Sequence, residues 1–378
     1  MHTLLLLGGY GETGRTLAPL LLRHTNARLV LAGRTPERAT TRAAELNAQF
    51  PGERVQARSA DAADYASMMA ALVGVDTLVI TASTTRHASV TARAALASQV
   101  DCIDIQYSPA KVALLRSLAP DIERAGCCFV TDAGFHPGLP GVLVRRAARD
   151  LDVIESAHVG SVIRADWRSV DTGDDAVIEL VDMLHDYDVA ALTNGVWSHY
   201  GLFSRAALRT FDMPAPFGRQ QCFAMGLQEM HELTDDYPAL RDGGFFVGGF
   251  RPLVDWLVLP LIFAVQRFAP GRKRLAARLL RAALRAGSRP PFGTMLLLRA
   301  SGMRADKRAY VYLTVAHPSG YFLTAAAVAA GLLQLLEGPA RRPGLWTQAR
   351  IVDPVRMLED LARLGVAVRT GSAELPRA

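Results

Sequence analysis

The chain contains 378 residues with a formal net charge of +6 at pH 7; half of the residues are hydrophobic and 21% are charged. This length suits two domains with large cores, and the composition is that of a globular chain rather than a disordered one. Arginine carries almost all of the positive charge, and no sequence motif of a nucleic-acid-binding module accompanies it. We therefore expect no nucleic acid among the partners.

The cysteines and the N-terminal residues indicate a cytoplasmic protein. The cysteines form no C-x-x-C pair and lie in apolar, strand-like stretches, which predicts reduced thiols and no metal site. The first seven residues lack the basic start of a signal peptide, and their apolar run ends in a glycine-rich turn. The four cysteines are Cys102, Cys127, Cys128 and Cys222.

This glycine-rich turn is the first functional motif. Leu4–Leu7 predicts a strand buried on both faces, and a helical pattern follows the turn. Gly9, Gly11 and Gly14 have the G-x-G-x-x-G spacing, which permits a tight turn, the approach of a pyrophosphate to the helix N-terminus, and close helix–strand packing. The alternative is a structural glycine turn without a ligand. The predicted cofactor-binding residues here are Gly9, Tyr10, Gly11, Glu12, Thr13 and Gly14.

The end of the second predicted strand favours NADP over NAD. NAD-binding proteins commonly carry an acid there, which holds the ribose 2′-hydroxyl. No acid follows Leu29–Ala32, and Arg34 stands where a guanidinium can bind a 2′-phosphate. The alternative is a solvated arginine. Thr35, which suits the N-cap of the next helix, joins Arg34 in the predicted cofactor site.

Four further strands alternate with helices, which predicts an α/β fold with a doubly wound parallel Rossmann sheet. Asp61 lies in the loop expected under the adenine. Thr81, Ala82 and Ser83 follow the fourth strand, where small residues would let the cofactor pass close to the backbone. These strands are predicted at 55–58, 77–80, 102–105 and 127–130, and the helices at 64–72, 88–98 and 109–125.

The loop after the sixth strand, residues 131–141, is the predicted substrate site. Ligands of open α/β sheets bind beyond the carboxyl ends of the strands, and a helix predicted at 142–148 follows this loop. His136 lies on the loop, and an imidazole ordinarily titrates near neutrality, which makes it a candidate for proton transfer. The alternative is a loop histidine that is hydrogen-bonded to the backbone.

Four other polar residues lie near the ends of the fifth and sixth strands. Asp104 and Asp132 could each hold a substrate ammonium group, although aspartate also serves in turns and caps. Tyr107 and Lys111 flank the exit of the fifth strand and could contact substrate. The catalytic candidates are His136, Tyr107, Lys111 and Asp132.

The middle of the chain predicts a second, α+β domain with an antiparallel sheet. Strand-like pieces such as Ala157–Val162 and a helix at Asp174–Tyr187 occur among glycine, proline and aromatic residues. Towards the end, Tyr321–Leu336 predicts an apolar helix, and Asp353 and Pro354 suit the start of a last helix that Gly365 closes.

The segment 253–289 permits two interpretations. Trp256–Val265 is uncharged but too short to span a bilayer, which takes about 20 residues. In the predicted helix that follows, arginines lie on one face and Leu275 and Leu279 on another. Such a segment could lie on an anionic membrane through residues 256–285, or it could be a buried stretch followed by a solvated helix. The arginines are Arg274, Arg278, Arg281 and Arg285.

Three stretches of the chain carry a resemblance to a known family. They are the glycine turn with Gly33–Thr35, the segments Ile105–Pro109 and Asp132–Leu139, and the apolar helix that begins at Gly320 and Tyr321. Together they resemble the saccharopine dehydrogenase-like family, particularly its saccharopine reductases and lysine dehydrogenases. The likeness spans nearly the whole chain but is specific mainly in the first 141 residues and the tail.

The resemblance implies two domains. An NADP-binding Rossmann domain would take residues 1–141 and be completed by C-terminal helices at about 321–378. A second domain over residues 142–320 would close over an amino-acid-like substrate and form a homodimer.

The resemblance also implies site residues. The NADP-facing basic residue of the family maps onto Arg34 and its substrate loop onto Gly134–Gly138, with Gly134 also near the cofactor. Its saccharopine enzymes commonly carry aspartate before the proline of that loop, where this chain has His136, so the resemblance leaves the substrate open.

The sequence thus predicts an NADP-dependent oxidoreductase that transfers a hydride at a C–N bond of a small-molecule amino acid or imine. Two alternatives stay open. One is a reductase of a lipid-linked substrate at the inner face of the membrane, and the other is a membrane-attached protein that binds NADP without turnover.

Overall fold

The computed structural model describes residues 1–169, 181, 187–201, 204–249, 261–262, 273–338 and 340–374. They form two compact units. The first takes residues 1–142 and 321–366, and the second takes residues 143–320 and the chain from Ala367.

Strands and helices alternate through the first 147 residues. They are β1 (Thr3–Leu7), α1 (Glu12–His24), β2 (Arg28–Gly33), α2 (Pro36–Gln49), β3 (Val55–Ser59), α3 (Tyr65–Ala71), β4 (Thr77–Ile80), α4 (Ala88–Ala97), β5 (Asp101–Asp104), α5 (Pro109–Arg124), β6 (Cys128–Thr131) and α6 (Leu139–Ala147).

The next part of the chain is mainly strand, and the last part returns to helix. The elements are β7 (Val153–Arg164), β8 (Ala190–Thr193), β9 (Val196–His199), β10 (Leu208–Met213), β11 (Gly218–Met225), α7 (Gln228–His231), α8 (Leu233–Asp236), β12 (Asp242–Gly248), α9 (Lys273–Gly287), β13 (Gly293–Arg304), β14 (Lys307–His317), α10 (Gly320–Leu336), β15 (Gly344–Thr347), α11 (Gln348–Ile351), α12 (Pro354–Arg363) and β16 (Ala367–Glu374).

The first unit is built on a parallel sheet with strand order β15-β6-β5-β4-β1-β2-β3. β1 is an interior strand, in which Leu4 pairs with Leu29 of β2 and with Thr77 of β4. Because helices cover both faces of such a sheet, central strands are apolar throughout, and the four leucines of β1 are indeed buried. The predicted doubly wound parallel sheet is confirmed.

The edge strand β15 was not predicted. It comes from the C-terminal part of the chain and pairs with β6 from Gly344↔Cys128 to Thr347↔Thr131. A four-residue strand between helices carries too little periodicity to be recognised alone. The C-terminal contribution to this unit is therefore a strand as well as helices.

The second unit contains a nine-stranded sheet with the main order β10-β11-β12-β7-β13-β14-β16. β8 pairs with β12 and β9 with β8. In the parts of this sheet that the structure describes, β12 and β7 run parallel and the remaining pairs are antiparallel. The sheet is thus mixed rather than antiparallel throughout.

The last strand of the chain belongs to the second unit, whereas the predicted domain limits placed it in the first. Residues 367–374 were expected to complete the first unit, but they form β16 and pair with β14 over Ala309–Ala316. Gly365 has φ +96° and ends the helical region. The following strand satisfies backbone groups along β14 that would otherwise be unpaired.

Two predicted segments lie largely outside the described residues. These are the helix at 174–187, of which 181 and 187 are described, and the apolar stretch 256–265, of which 261 and 262 are described. Among the helices that the structure does describe, none is both long and apolar enough to cross a membrane.

Candidate functional site: the carboxyl ends of the parallel strands

The glycine turn packs α1 tightly against β1. A Cβ added at Gly14 would lie 2.3 Å from the carbonyl oxygen of Gly8, so no other residue fits there. A Cβ added at Gly11 would lie within 4 Å of one atom, the same oxygen at 3.2 Å, which leaves the backbone open to a ligand. The turn therefore fits the pyrophosphate of a dinucleotide, which would meet the N–H groups at the start of α1.

Gly8 is a residue of the turn that sequence reasoning missed. It has φ +89°, and a Cβ there would lie 2.8 Å from the Cβ of Ala82, beyond the end of β4. Gly8 thus lets the loop after β4 come close to the turn after β1. The Gly8-Gly9 dipeptide was the available signal, because consecutive glycines mark backbone that needs left-handed angles.

The other predicted residues of the turn begin α1. Glu12 is the first residue of that helix, and Thr13 beside it is buried. The pKa of Tyr321 is raised by burial and by the carboxylate of Glu12.

The side chains of Tyr10 and Arg38 and the backbone N–H of Thr35 meet beyond the end of β2. The phenol oxygen of Tyr10 accepts a hydrogen bond from Thr35 N–H at 3.0 Å, and the guanidinium of Arg38 lies 5.1 Å from the centre of the Tyr10 ring. Arg34 and Thr35 are exposed. Arg38 was missed by sequence reasoning; its spacing of four residues from Arg34, at the start of α2, was the available signal.

Residues predicted to contact the cofactor in the loops after β3 and β4 make hydrogen bonds within the protein. Asp61 accepts a hydrogen bond from Ala63 N–H, so its carboxylate closes a turn. Thr81 donates its hydroxyl to Leu7 O at 3.0 Å, which ties β4 to β1. Ala82 offers its carbonyl oxygen to the side-chain amide of Gln106 at 2.7 Å, and Ser83 is half-buried next to it.

A buried charged cluster joins the ends of β5 and β6 to the start of α5. The ammonium of Lys111 donates to the carboxylate of Asp104 and to the carbonyl oxygen of Gln106, and it lies 3.5 Å from Asp132 Oδ1. Lys111, Asp104 and Asp132 are each at most 5% exposed. The structure thus brings together two of the catalytic candidates with the aspartate at the end of β5.

Acidic side chains outnumber basic ones in this cluster. Burial lowers the pKa of Lys111, but Asp104 and Asp132 outweigh it, so the net direction is upward and the lysine is charged. Two carboxylates then face one ammonium, which leaves a formal charge of −1. Both aspartates contact the ammonium of Lys111, and their predicted contact with a substrate ammonium stays a prediction.

The predicted substrate loop was 131–141, of which residues 131–138 precede α6 and are closed by backbone contacts. Ala133 N–H donates to Asp104 O, and Gly134 N–H donates to Pro137 O, both at 2.9 Å. Gly138 has φ +130°, and a Cβ there would lie 2.4 Å from Gly134 O. The loop is therefore held against the end of β5 and leaves no room for a larger residue at position 138.

The pKa of His136 differs from the value expected from the sequence. Its ring nitrogens are buried, and its ring centre lies 4.3 Å from that of Phe135. Burial lowers the pKa of His136 to about 4, so the imidazole is neutral at pH 7. The expectation that it titrates near neutrality is corrected, because burial disfavours the charged form. Tyr107 lies half-buried before α5; its role and that of His136 in catalysis stay predictions.

The parallel sheet and its glycine turn define the first unit as a dinucleotide-binding domain. Residues 4–130 match the family model of the saccharopine dehydrogenase NADP binding domain. Comparison with curated protein sequences gives no match.

Among solved structures, the chain is similar to apo saccharopine dehydrogenase (L-Glu forming) from Saccharomyces cerevisiae. The TM-score is 0.70 and the identity 14%, over 99% of this chain and 100% of that one. A dehydrogenase from Chromobacterium violaceum has a TM-score of 0.43 at 11% identity, over 96% and 93% of the two chains. A meso-dapdh mutant with DAP from Clostridium tetani has a TM-score of 0.47 at 11% identity, over 94% and 96%. The last two likenesses are too low to add to the assignment.

Residues 4–130 are therefore an NADP-binding domain of the saccharopine dehydrogenase family, and the chain as a whole has the saccharopine dehydrogenase fold. The resemblance inferred from the sequence is confirmed for this domain, and so is the choice of NADP.

Proposed function

We propose that the protein is an NADP-dependent oxidoreductase that transfers a hydride at the C–N bond of an amino acid or its imine. The observation that carries this proposal is the buried cluster of Lys111, Asp104 and Asp132 with its formal charge of −1. It lies at the carboxyl ends of β5 and β6, where ligands of open α/β sheets bind.

The sign of that charge favours nitrogen over oxygen chemistry. Reduction of an imine proceeds through a cationic iminium, whereas reduction of a ketone develops negative charge on oxygen. A buried negative charge stabilises the first and opposes the second, and it acts strongly because water is excluded. NADP, when bound, supplies or accepts the hydride.

The residues around the charged cluster hold the predicted cofactor and substrate loops in place. Gln106 joins the cluster to the loop after β4, because its amide donates to Ala82 O at 2.7 Å and lies 3.3 Å from Thr84 Oγ1. The side chain of Gln106 thus holds the predicted cofactor loop, and the backbone carbonyl of Asp104 holds the predicted substrate loop by accepting a hydrogen bond from Ala133 N–H. The two residues are themselves joined, because Gln106 N–H donates to Asp104 Oδ1 at 3.1 Å. His136, neutral at pH 7, would hydrogen-bond a substrate polar group rather than carry charge.

The test is NADPH oxidation with a panel of 2-keto acids, each with and without an amine or amino acid. Turnover that requires the amine supports reduction of a C=N bond. Turnover with the keto acid alone would contradict the proposal. So would an enzyme that is inactive with every keto acid and amine of the panel but reduces a lipid-linked carbonyl compound.

Peripheral contact with an anionic membrane is a second proposal, supported by the surface of α9. Leu275 is 43% exposed and Leu279 is 36% exposed, and the buried face of that helix is formed by other residues. Arg274, Arg278 and Arg285 are exposed beside these leucines. A basic helix with exposed apolar side chains is typical of binding at a lipid surface. The buried residues of α9 are Ala276, Ala277, Leu280 and Leu284.

A further inference from the structure

The side chain of Tyr10 is held at the end of β2 from three sides. It packs on Gly33, where an added Cβ would lie 2.3 Å from the phenol oxygen. Thr35 N–H donates to that oxygen at 3.0 Å, and the Arg38 guanidinium lies over the ring. The phenol therefore has a set position at the place where Arg34 is expected to meet the cofactor.

A phenol can accept hydrogen bonds and also donate one. In the described part of the chain, the hydrogen bond of Tyr10 is the one that it accepts from Thr35, which leaves its own O–H available to donate. Thr35 N–H, by contrast, is already used. A ligand oxygen that arrives here would meet the phenol O–H rather than the backbone donor.

We propose that the phenol of Tyr10 donates a hydrogen bond to the 2′-phosphate of NADP(H) and so helps to select NADP over NAD. The phosphate carries the negative charge that suits this place, since Arg38 stacks on the ring and Arg34 is exposed next to it. Thr35 N–H polarises the phenol by donating to its oxygen, which strengthens the hydrogen bond that the phenol donates. The proposal depends on NADP binding and not on the proposed reaction.

The decisive variant is Tyr10→Phe, which keeps the ring on Gly33 and removes only the hydroxyl. Fluorescence titration of the full chain with NADPH and NADH compares cofactors with and without the 2′-phosphate. Calorimetric titration with adenosine 2′,5′-bisphosphate and with AMP repeats the comparison without the nicotinamide. Hydrogen bonds to charged groups are among the stronger ones. We expect Tyr10→Phe to weaken NADPH and the bisphosphate about tenfold, and NADH and AMP less than about twofold.

Two further variants complete the test. Tyr312→Phe is the matched control, because Tyr312 is an exposed tyrosine on β14 of the other unit, and it should change neither affinity. Arg38→Ala keeps the phenol but removes the cation over its ring, and it should weaken NADPH more than NADH. Unchanged NADPH affinity in Tyr10→Phe, or an equal loss for both cofactors, would overturn the proposal. Tighter NADPH binding would also overturn it, because the phenol would then compete with the phosphate for Thr35 N–H.

Discussion

Lys111 and Asp104 form a salt bridge in which both partners are almost completely buried, with 2% and 7% of their side-chain surfaces exposed. Asp132 Oδ1 lies 3.5 Å from the same ammonium. Compared with well-packed apolar residues, a buried ion pair adds little net stability. Removal of one partner is nevertheless strongly destabilising, because the other charge then stays buried alone.

Lys111→Met should therefore lower the free energy of unfolding by about 3–5 kcal/mol, since two buried carboxylates lose their cation. Lys307→Met is the matched control: Lys307 is exposed on β14, and its loss should cost less than about 0.5 kcal/mol. Urea unfolding at pH 7 measures both values. Similar losses for the two variants would show that Lys111 does not hold the cluster.

The same pair predicts a pH dependence at high pH. The pKa of Lys111 is raised above its ordinary value of 10.5 by the two aspartates, despite burial. The stabilising contribution is therefore fully present below pH 10.5 and lost as the pH rises through the folded-state pKa. The difference in unfolding free energy between wild type and Lys111→Met should stay constant from pH 7 to about pH 10 and shrink above it. A difference that shrinks already between pH 7 and 9 would contradict the raised pKa.

His136 predicts a pH dependence on the acid side. Burial lowers its pKa to about 4 from an ordinary value of 6.5, so the unfolded chain binds the proton more readily than the folded one. The folded state should lose stability as the pH falls from 6.5 towards 4, by about 2–3 kcal/mol. In His136→Asn this loss should be absent. Unfolding midpoints at pH 7.5, 5.5 and 4.5 for both proteins measure it, and parallel curves would show that His136 is not the group responsible.

His136 also predicts a kinetic outcome. Because its pKa is far below neutrality, the imidazole is suited to hydrogen bonding rather than to proton transfer at pH 7. His136→Asn should therefore raise the KM of the amino-acid or imine substrate while kcat changes less than about tenfold. A fall in kcat by a factor of about 10² to 10⁴ would instead make His136 the proton-transfer group. His136→Asp, which introduces the residue common in the family's saccharopine enzymes, shows whether the position selects substrate.

Arg34→Ala tests whether Arg34, directly after β2, binds the 2′-phosphate of NADP(H). A charge-assisted hydrogen bond contributes about 1.5–3 kcal/mol, so NADPH should bind roughly ten- to a hundredfold more weakly and NADH almost as before. Fluorescence titration with both cofactors is the measurement. An equal loss for both would mean that Arg34 supports the fold of the loop and not the 2′-phosphate.

The exposed face of α9 predicts binding to anionic liposomes. Co-sedimentation should be measurable at low salt and should decline as salt is added, because exposed charges are screened within about 10 Å at 0.1 M. Combined replacement of Arg274, Arg278 and Arg285 by glutamine should abolish it. The control for net charge replaces three exposed arginines of the other unit by glutamine, namely Arg93 of α4 with Arg116 and Arg124 of α5. If wild type fails to sediment at low salt, the membrane proposal is wrong.

The sequence by itself determined the parallel sheet of the first unit and the glycine turn that is predicted to bind the cofactor. The leucine run of β1 and the spacing of Gly9, Gly11 and Gly14 are local patterns, complete within a dozen residues, so neighbouring residues suffice to recognise them. The same holds for Asp353, whose carboxylate accepts hydrogen bonds from Val355 and Arg356 N–H at the start of α12.

Only the tertiary structure decided which polar groups meet. Lys111 follows a strand exit and could have faced solvent, but the packing of α5 turns it towards Asp104 and Asp132, seven and twenty-one residues away. Tyr10 reaches Thr35 across twenty-five residues because β1 and β2 are neighbours in the sheet. Burial likewise moved the pKa of His136 away from neutrality. Such contacts and shifts depend on how separate elements pack, and no spacing along the chain encodes them.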